Sequence, residues 1–273
     1  MSKVAVMGHA DLLNASVRGP AGAQAIVFVH GFGCGQHMWR HIAPAFEDEY
    51  RIALLDLPGS GGAAPASYDP VRHASLEGYR DDLALLLREL DLASVVLVGH
   101  SVAAMIGVLL QVAHPELVDR LVLVTPSARY LDDGDYVGGF SEGDIDELLE
   151  LMSRNHLGWQ DPLAALVAGE PVSEAKSELE QAFCRTHPEV AAQFAAVTFR
   201  GDNRADLPLV SAPTFVLQSA EDSIAPLTAV TFVRDAVPGA EMEVIATRGH
   251  CPHLTAPAET TAALRRFLDR SRS

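Results

Sequence analysis

Gly99-His100-Ser101-Val102-Ala103 places a serine between the apolar run Val95-Val96-Leu97-Val98 and the helical stretch Ala103 to Gln111. On a tight strand-to-helix turn a serine hydroxyl is pushed out at the sheet edge, where it can attack an acyl carbon. Such turns need small neighbours. Gly99 supplies one, and Ala103 stands where a second glycine is usual. A serine that only caps a helix would give a similar pentapeptide, so the chemistry depends on finding partners elsewhere.

A serine hydroxyl is a weak nucleophile at neutral pH; it needs a base within hydrogen-bond reach, itself held by a carboxylate. Asp222 follows the apolar run ending at Gln218, in the turn Ser219-Ala220-Glu221-Asp222-Ser223. His250 follows the next such run, in Arg248-Gly249-His250-Cys251-Pro252-His253. The chain order is then serine, acid, histidine. Glu221 is the neighbouring alternative acid and His253 the alternative base. His250 and His253 also read as a His-x-x-His metal pair, but no third ligand stands at a recognisable spacing, so no metal is expected.

Acyl transfer also needs donors for a developing oxyanion. The glycines of His30-Gly31-Phe32-Gly33-Cys34-Gly35 let backbone approach a substrate closely, and the N–H groups of Phe32 and Val102 are the expected donors. No glycine-rich nucleotide motif opens a helix here, and no cofactor is expected. His100, beside the serine, is expected to support packing or line a pocket floor. Cys34 and Cys251 flank the site as small buried fillers.

The elements that must position these residues alternate. Strands are expected at Ala25 to His30, Arg51 to Leu57, Val95 to Val98, Arg120 to Thr125, Pro213 to Gln218 and Glu241 to Ala246. Helices are expected at Gln36 to Phe46, around Leu76, Tyr79, Leu83, Leu86 and Leu90, after Ser101, and from Pro257 to Leu268. Alternation of this kind predicts an α/β fold with a mostly parallel sheet between helices. From Tyr130 to Asp206 no strand signal occurs. Four helices fit there: one behind Ser141 and Asp144 with Ile145, Leu148, Leu149 and Met152, one near Pro162, one capped by Ser173, and one opened by Pro188. The expected division is a core of residues 1–127 and 207–273 with a four-helix cap of 128–206. Its aromatics Phe140, Trp159, Phe194 and Phe199 are pocket candidates.

The 273 residues are 48% apolar and 21% charged, enough for one large core and unlike a disordered chain. A formal net charge of −16 repels nucleic acid and anionic membrane, so neither is an expected partner. No apolar run is long enough to span a bilayer, and Met1 to Arg18 lacks the pattern of a secretory leader. Three scattered cysteines, Cys34, Cys184 and Cys251, suit a reducing compartment. A cytoplasmic location is expected.

His30-Gly31-Phe32-Gly33, Asp56-Leu57-Pro58-Gly59-Ser60-Gly61, the Ser101 turn, Asp222 and His250 together resemble the α/β-hydrolase family across nearly the whole chain. A closer likeness lies in Gly99 to Gly107, in Arg129-Tyr130-Leu131-Asp132-Asp133 with Tyr136-Val137-Gly138-Gly139-Phe140, and in Arg248 to His253. These are similar to the subgroup containing the bacterial stress regulator RsbQ and the plant strigolactone and karrikin receptors. The resemblance implies a Ser101-His250-Asp222 triad, oxyanion donors at Phe32 and Val102, and a V-shaped cap over an apolar pocket. It further implies a small ester or lactone ligand, and a signalling partner such as a PAS-domain phosphatase.

Overall fold

Two runs, Ala25–Val29 (β2) and Val95–His100 (β4), are buried at every residue. Burial on both faces is the condition of a central parallel strand, and these two pair in parallel at the middle of a seven-stranded sheet. The computed structural model describes residues 7–154, 158–170 and 173–270. Residues 1–6, part of the segment expected to carry no leader, lie outside the described residues.

In chain order, α1 (His9–Leu12) and β1 (Ser16–Arg18) precede β2, and β3 (Arg51–Leu54) and α2 (Leu76–Glu89) precede β4. Then come α3 (Val102–Ala113) and β5 (Val118–Val124). Among the described residues four helices follow without an intervening strand: α4 (Glu142–Arg154), α5 (Gln160–Ala168), α6 (Glu174–Phe183) and α7 (Pro188–Arg200). The chain closes with β6 (Thr214–Glu221), α8 (Leu227–Ala236), β7 (Glu241–Arg248), α9 (Pro252–Thr255) and α10 (Pro257–Arg270). Strand order is β1-β3-β2-β4-β5-β6-β7, with β1 antiparallel to β3 and every other neighbour parallel. Among the described residues no helix is long and apolar enough to cross a membrane.

Alternate residues of the central strands feed two separate cores, as the two-residue strand period requires. Ile26, Phe28, Val96 and Val98 pack with Trp39, Phe46, Phe215 and Phe267 on one side. Val27, Val29, Val95 and Leu97 join Leu83, Leu87, Ile106 and Leu110 on the other. The helix caps read from the sequence form: Ser141 Oγ accepts the Asp144 N–H at 3.2 Å, and Ser173 Oγ accepts that of Lys176 at 3.0 Å.

Departures from the expected elements have local causes. Gln36 to Phe46 is not one helix but two 3-10 turns, Gln36–Trp39 and Ala43–Phe46, because Pro44 lacks the N–H that a continuous ladder needs. Strand β1 has only three residues on an exposed edge, too short for a periodic signal. The stretch expected to lack strand also contains two isolated bridges, Leu131 with Phe140 and Asp133 with Tyr136.

Asp56, just past β3, ties three chain segments together. Its carboxylate accepts the Gln36 N–H at 2.7 Å, the Gly62 N–H at 2.9 Å and Asn14 Nδ2 at 2.7 Å. Burial pushes this carboxyl up, but His30 and the Asn14 and Gln36 donors outweigh it and hold it below the ordinary range. Its contribution to stability is therefore present above about pH 4 and lost as pH falls through the folded-state value. Asp56→Ala leaves buried donors unpaired and should cost about 3 kcal/mol, lowering Tm by roughly 5–10 °C, with the gap between the two proteins narrowing in melts below about pH 4.

Candidate active site

Strand β4 ends at His100 and α3 begins at Val102, so Ser101 alone makes the turn. Its φ of 58° and ψ of −124° are uncommon for any residue but glycine. The Ser101 N–H donates to the Val124 carbonyl at 2.9 Å, fixing the turn to β5. A Cβ on Gly99 would lie 2.5 Å from the Ala103 carbonyl oxygen. Strand and helix thus meet at backbone contact, which requires glycine at 99, whereas Ala103 is accommodated fully buried.

His250 Nε2 lies 2.8 Å from Ser101 Oγ, and its Nδ1 lies 2.8 Å from Asp222 Oδ2. The other Asp222 oxygen accepts the N–H groups of Ile224 at 2.9 Å and Ala225 at 3.1 Å. Burial pushes the Asp222 carboxyl up, but His250 and these two donors bring it below its ordinary value. An ionised Asp222 can only accept, so the hydrogen-bond network assigns the imidazole proton to Nδ1 and leaves Nε2 to accept from the serine hydroxyl. The arrangement can draw a proton off Ser101 and hold it.

The backbone of His250 is clamped on both sides. Its N–H donates to the Val167 carbonyl of α5 at 2.7 Å. Its carbonyl accepts from His100 Nε2 at 2.8 Å and Thr125 Oγ1 at 2.9 Å. The alternatives weighed from sequence lie elsewhere: Glu221 is exposed and paired with Arg248 at 2.8 Å, and His253 stacks on Trp39 with ring centroids 4.6 Å apart. His100, Cys251 and His253 offer three buried donor atoms within 4.8 Å of one another. Yet His100 Nε2 is engaged by the His250 carbonyl, and burial pushes the Cys251 thiol well up, against the thiolate a metal needs.

The Phe32 loop follows β2 and packs beside Ser101. Among the described residues neither the Phe32 N–H nor the Val102 N–H meets a protein acceptor. Val102 opens α3, whose first-turn N–H groups have no intrahelical partner. One contact was absent from the sequence reading: the Tyr130 hydroxyl lies 3.1 Å from Ser101 Oγ. Arg129-Tyr130-Leu131 marks a family likeness in the sequence, but only the fold brings residue 130 back over the β4 turn.

Around Ser101 the cavity is about 30 Å³, lined by Phe32, His100, Leu163, Phe199, Ile224 and His250 among others. An apolar cavity of about 200 Å³ adjoins it between α4 and α5, lined by Phe140, Ile145, Leu148 and Trp159 and sharing Leu163, Phe199 and Ile224. A larger open groove of about 490 Å³, between Ala74–Glu77 and α7, contains no triad residue. Phe140, Trp159, Phe199 and His100 therefore line cavities at or beside the serine. Phe194 does not: it stacks on Tyr79 at 4.6 Å. It lies five residues before Phe199, rotated by about 140° around α7.

Residues 26–264 match the alpha/beta hydrolase family. The chain belongs to that family. It is 36% identical to the strigolactone esterase D14 of Arabidopsis thaliana, over 95% of this chain and 97% of that protein. It is 37% identical to the karrikin insensitive 2 receptor CA of Petunia hybrida, over 91% and 93%. Among solved structures, a hydrolase of Oleispira antarctica superposes with a TM-score of 0.92 at 35% identity, covering 96% of both chains.

In this alpha/beta hydrolase the Asp222–His250 link sets the tautomer that leaves Nε2 facing Ser101 Oγ as an acceptor. Asp222→Asn keeps the shape but can present a donor to Nδ1, turning the imidazole around. The variant should lose about 10²- to 10⁴-fold in kcat on an activated ester, with its thermal melt close to that of the unaltered protein.

Proposed function

We propose that the protein is a serine hydrolase that cleaves a small, fairly apolar ester or lactone through an acyl-enzyme. The supporting observation is the continuous chain from Ser101 through His250 to Asp222, both links 2.8 Å long. Ser101 is the nucleophile, His250 the base and Asp222 its orienting acid. The N–H groups of Phe32 and Val102 take the oxyanion. We divide the chain into a core of residues 1–127 and 207–273 and a cap of 128–206.

In acylation, Oγ forms a bond to the carbonyl carbon while its proton passes to His250 Nε2. The carbonyl electron pair moves onto oxygen, facing the two free N–H groups. As that intermediate collapses, the departing alkoxide takes the proton from His250. Water then repeats the sequence on the acyl-serine, using the same base. Chain and water account for every proton and electron pair, so the scheme calls for no cofactor. The adjoining cavity is walled mainly by apolar side chains such as Ile145, Leu148, Trp159 and Phe199, which supports an apolar acyl or alcohol group.

A second reading keeps this site and adds a protein partner. It is supported by a relative named as a receptor and by the Val167 carbonyl of α5, which holds the His250 N–H. That bond joins cap and catalytic base, so a ligand that moves one moves the other. On this reading the protein would act through a signalling protein such as a PAS-domain phosphatase. Ligand-dependent capture of such a phosphatase on the immobilised protein supports it, and a gene neighbourhood that is purely catabolic counts against it.

Ser101→Ala decides the hydrolase reading. Turnover of p-nitrophenyl acetate should fall at least about 10³-fold, and labelling by a fluorophosphonate should vanish, with circular dichroism unchanged. Retained turnover would sink the triad assignment.

A further inference from the structure

Tyr130 touches the reacting oxygen and has no part in the proton relay described above. The Ser101 hydroxyl directs its proton at His250 Nε2, so towards Tyr130 its oxygen can only accept. Tyr130 is therefore the donor. Its ring is 2% exposed, and burial lifts the phenol above its ordinary value, so it stays protonated throughout the working range.

The hydroxyl is held from both ends of the helical insertion. At the start of the insertion the Tyr130 carbonyl accepts the Phe140 N–H at 3.1 Å, and Asp132 Oδ1 accepts the N–H groups of Gly138 and Gly139 at 2.9 and 3.0 Å. At its end, Phe199 of α7 packs edge-on against the Tyr130 ring with centroids 5.2 Å apart.

Resting on the hydrolase reading, the geometry points to Tyr130 as a catalytic residue that discriminates between the two half-reactions, opposing acylation of Ser101 and assisting release of the acyl group. The reason is the acceptor strength of Oγ. In the free serine Oγ is a good acceptor. When it attacks, one lone pair becomes the new carbon–oxygen bond, its proton goes to His250 Nε2, and the ester oxygen that results shares its remaining electrons with the acyl carbonyl. The hydrogen bond from Tyr130 weakens along that path. Deacylation runs the other way. Water gives a proton to His250 and bonds to the acyl carbon, the C–Oγ bond breaks with its electron pair returning to Oγ, and His250 returns the proton. Oγ regains the electron pair it had shared with the acyl carbon, so it becomes a better acceptor and the hydrogen bond from Tyr130 strengthens along that path. An interaction stronger in the transition state than in the acyl-serine from which it starts accelerates deacylation, and one weaker there than in the free serine slows acylation.

Tyr130→Phe removes the donor and keeps the ring against Phe199. In stopped flow with p-nitrophenyl acetate, the variant should release a first equivalent of nitrophenolate at least as fast as the unaltered protein and then turn over about 10-fold more slowly. Mass spectrometry of acid-quenched samples should show acetyl-Ser101 accumulating in the variant. Equal loss in the first and later turnovers, or unchanged kinetics, overturns the assignment, because a merely structural tyrosine would slow both halves together. If the unaltered protein neither releases nitrophenolate nor becomes acetylated, the hydrolase reading itself fails, an outcome separate from any difference between the two proteins.

Discussion

Ser101 sits buried at φ 58° and ψ −124°, a conformation that costs roughly 1–3 kcal/mol and persists only where its surroundings over-determine it. The surroundings here are the two central strands and the helix that leaves them. β4 is paired on both sides, by β2 and β5, so its carboxyl end cannot fray to relax the turn. The Val124 carbonyl takes the Ser101 N–H, and the absence of a side chain at Gly99 lets α3 start at backbone contact. The same geometry leaves the Val102 N–H pointing free at the head of α3. The outward position of the Ser101 hydroxyl and the Val102 N–H, unpaired among the described residues, are thus two results of one strained turn.

The wall behind that turn is electrically quiet. Burial lowers His100 well below its ordinary value, helped by His253 and His250, and it brings His253 to about 3. Both rings are neutral at physiological pH. Burial likewise raises the Cys34 thiol to about 12 and Cys251 well above its usual value, so neither cysteine supplies a competing thiolate. A proton arriving on His250 then finds Asp222 as its facing negative charge. The His250 carbonyl is gripped by His100 and Thr125, which fixes the backbone, and the ring is held at both nitrogens by Asp222 and Ser101.

The parts of this arrangement that a linear reading reaches are those encoded by short contiguous signals. The apolar runs at 25–29 and 95–98 announce central strands, Pro188 and Ser173 open helices where expected, and Ser101, Asp222 and His250 each follow a strand. What it misses depends on distance in sequence or on position around a helix. The Tyr130 contact spans 29 residues and depends on how the loop after β5 folds back. Phe194 and Phe199 belong to the same aromatic set, yet the rotation of α7 sends one to Tyr79 and the other to the cavity. Strand β1 and helix α9 are too short to leave a periodic trace.

The cavity at Ser101 is narrow, about 30 Å³, while the apolar cavity beside it holds about 200 Å³. Leu163, Phe199 and Ile224 stand in both walls, so a substrate bridging them must displace side chains from this partition. Displacing α5 as a body is the costlier route. Its Val167 carbonyl holds the His250 N–H, so movement there would pull on the residue whose ring is bonded to Ser101 Oγ. Ile224 is fixed as well, since its N–H is one of the two that hold the Asp222 carboxylate. Leu163 and Phe199 take no part in the hydrogen bonds joining Ser101, His250 and Asp222, whereas the Ile224 backbone does hold Asp222. Phe199 is also the ring against which Tyr130 packs, so one side chain both walls the two cavities and supports the hydroxyl beside Ser101 Oγ.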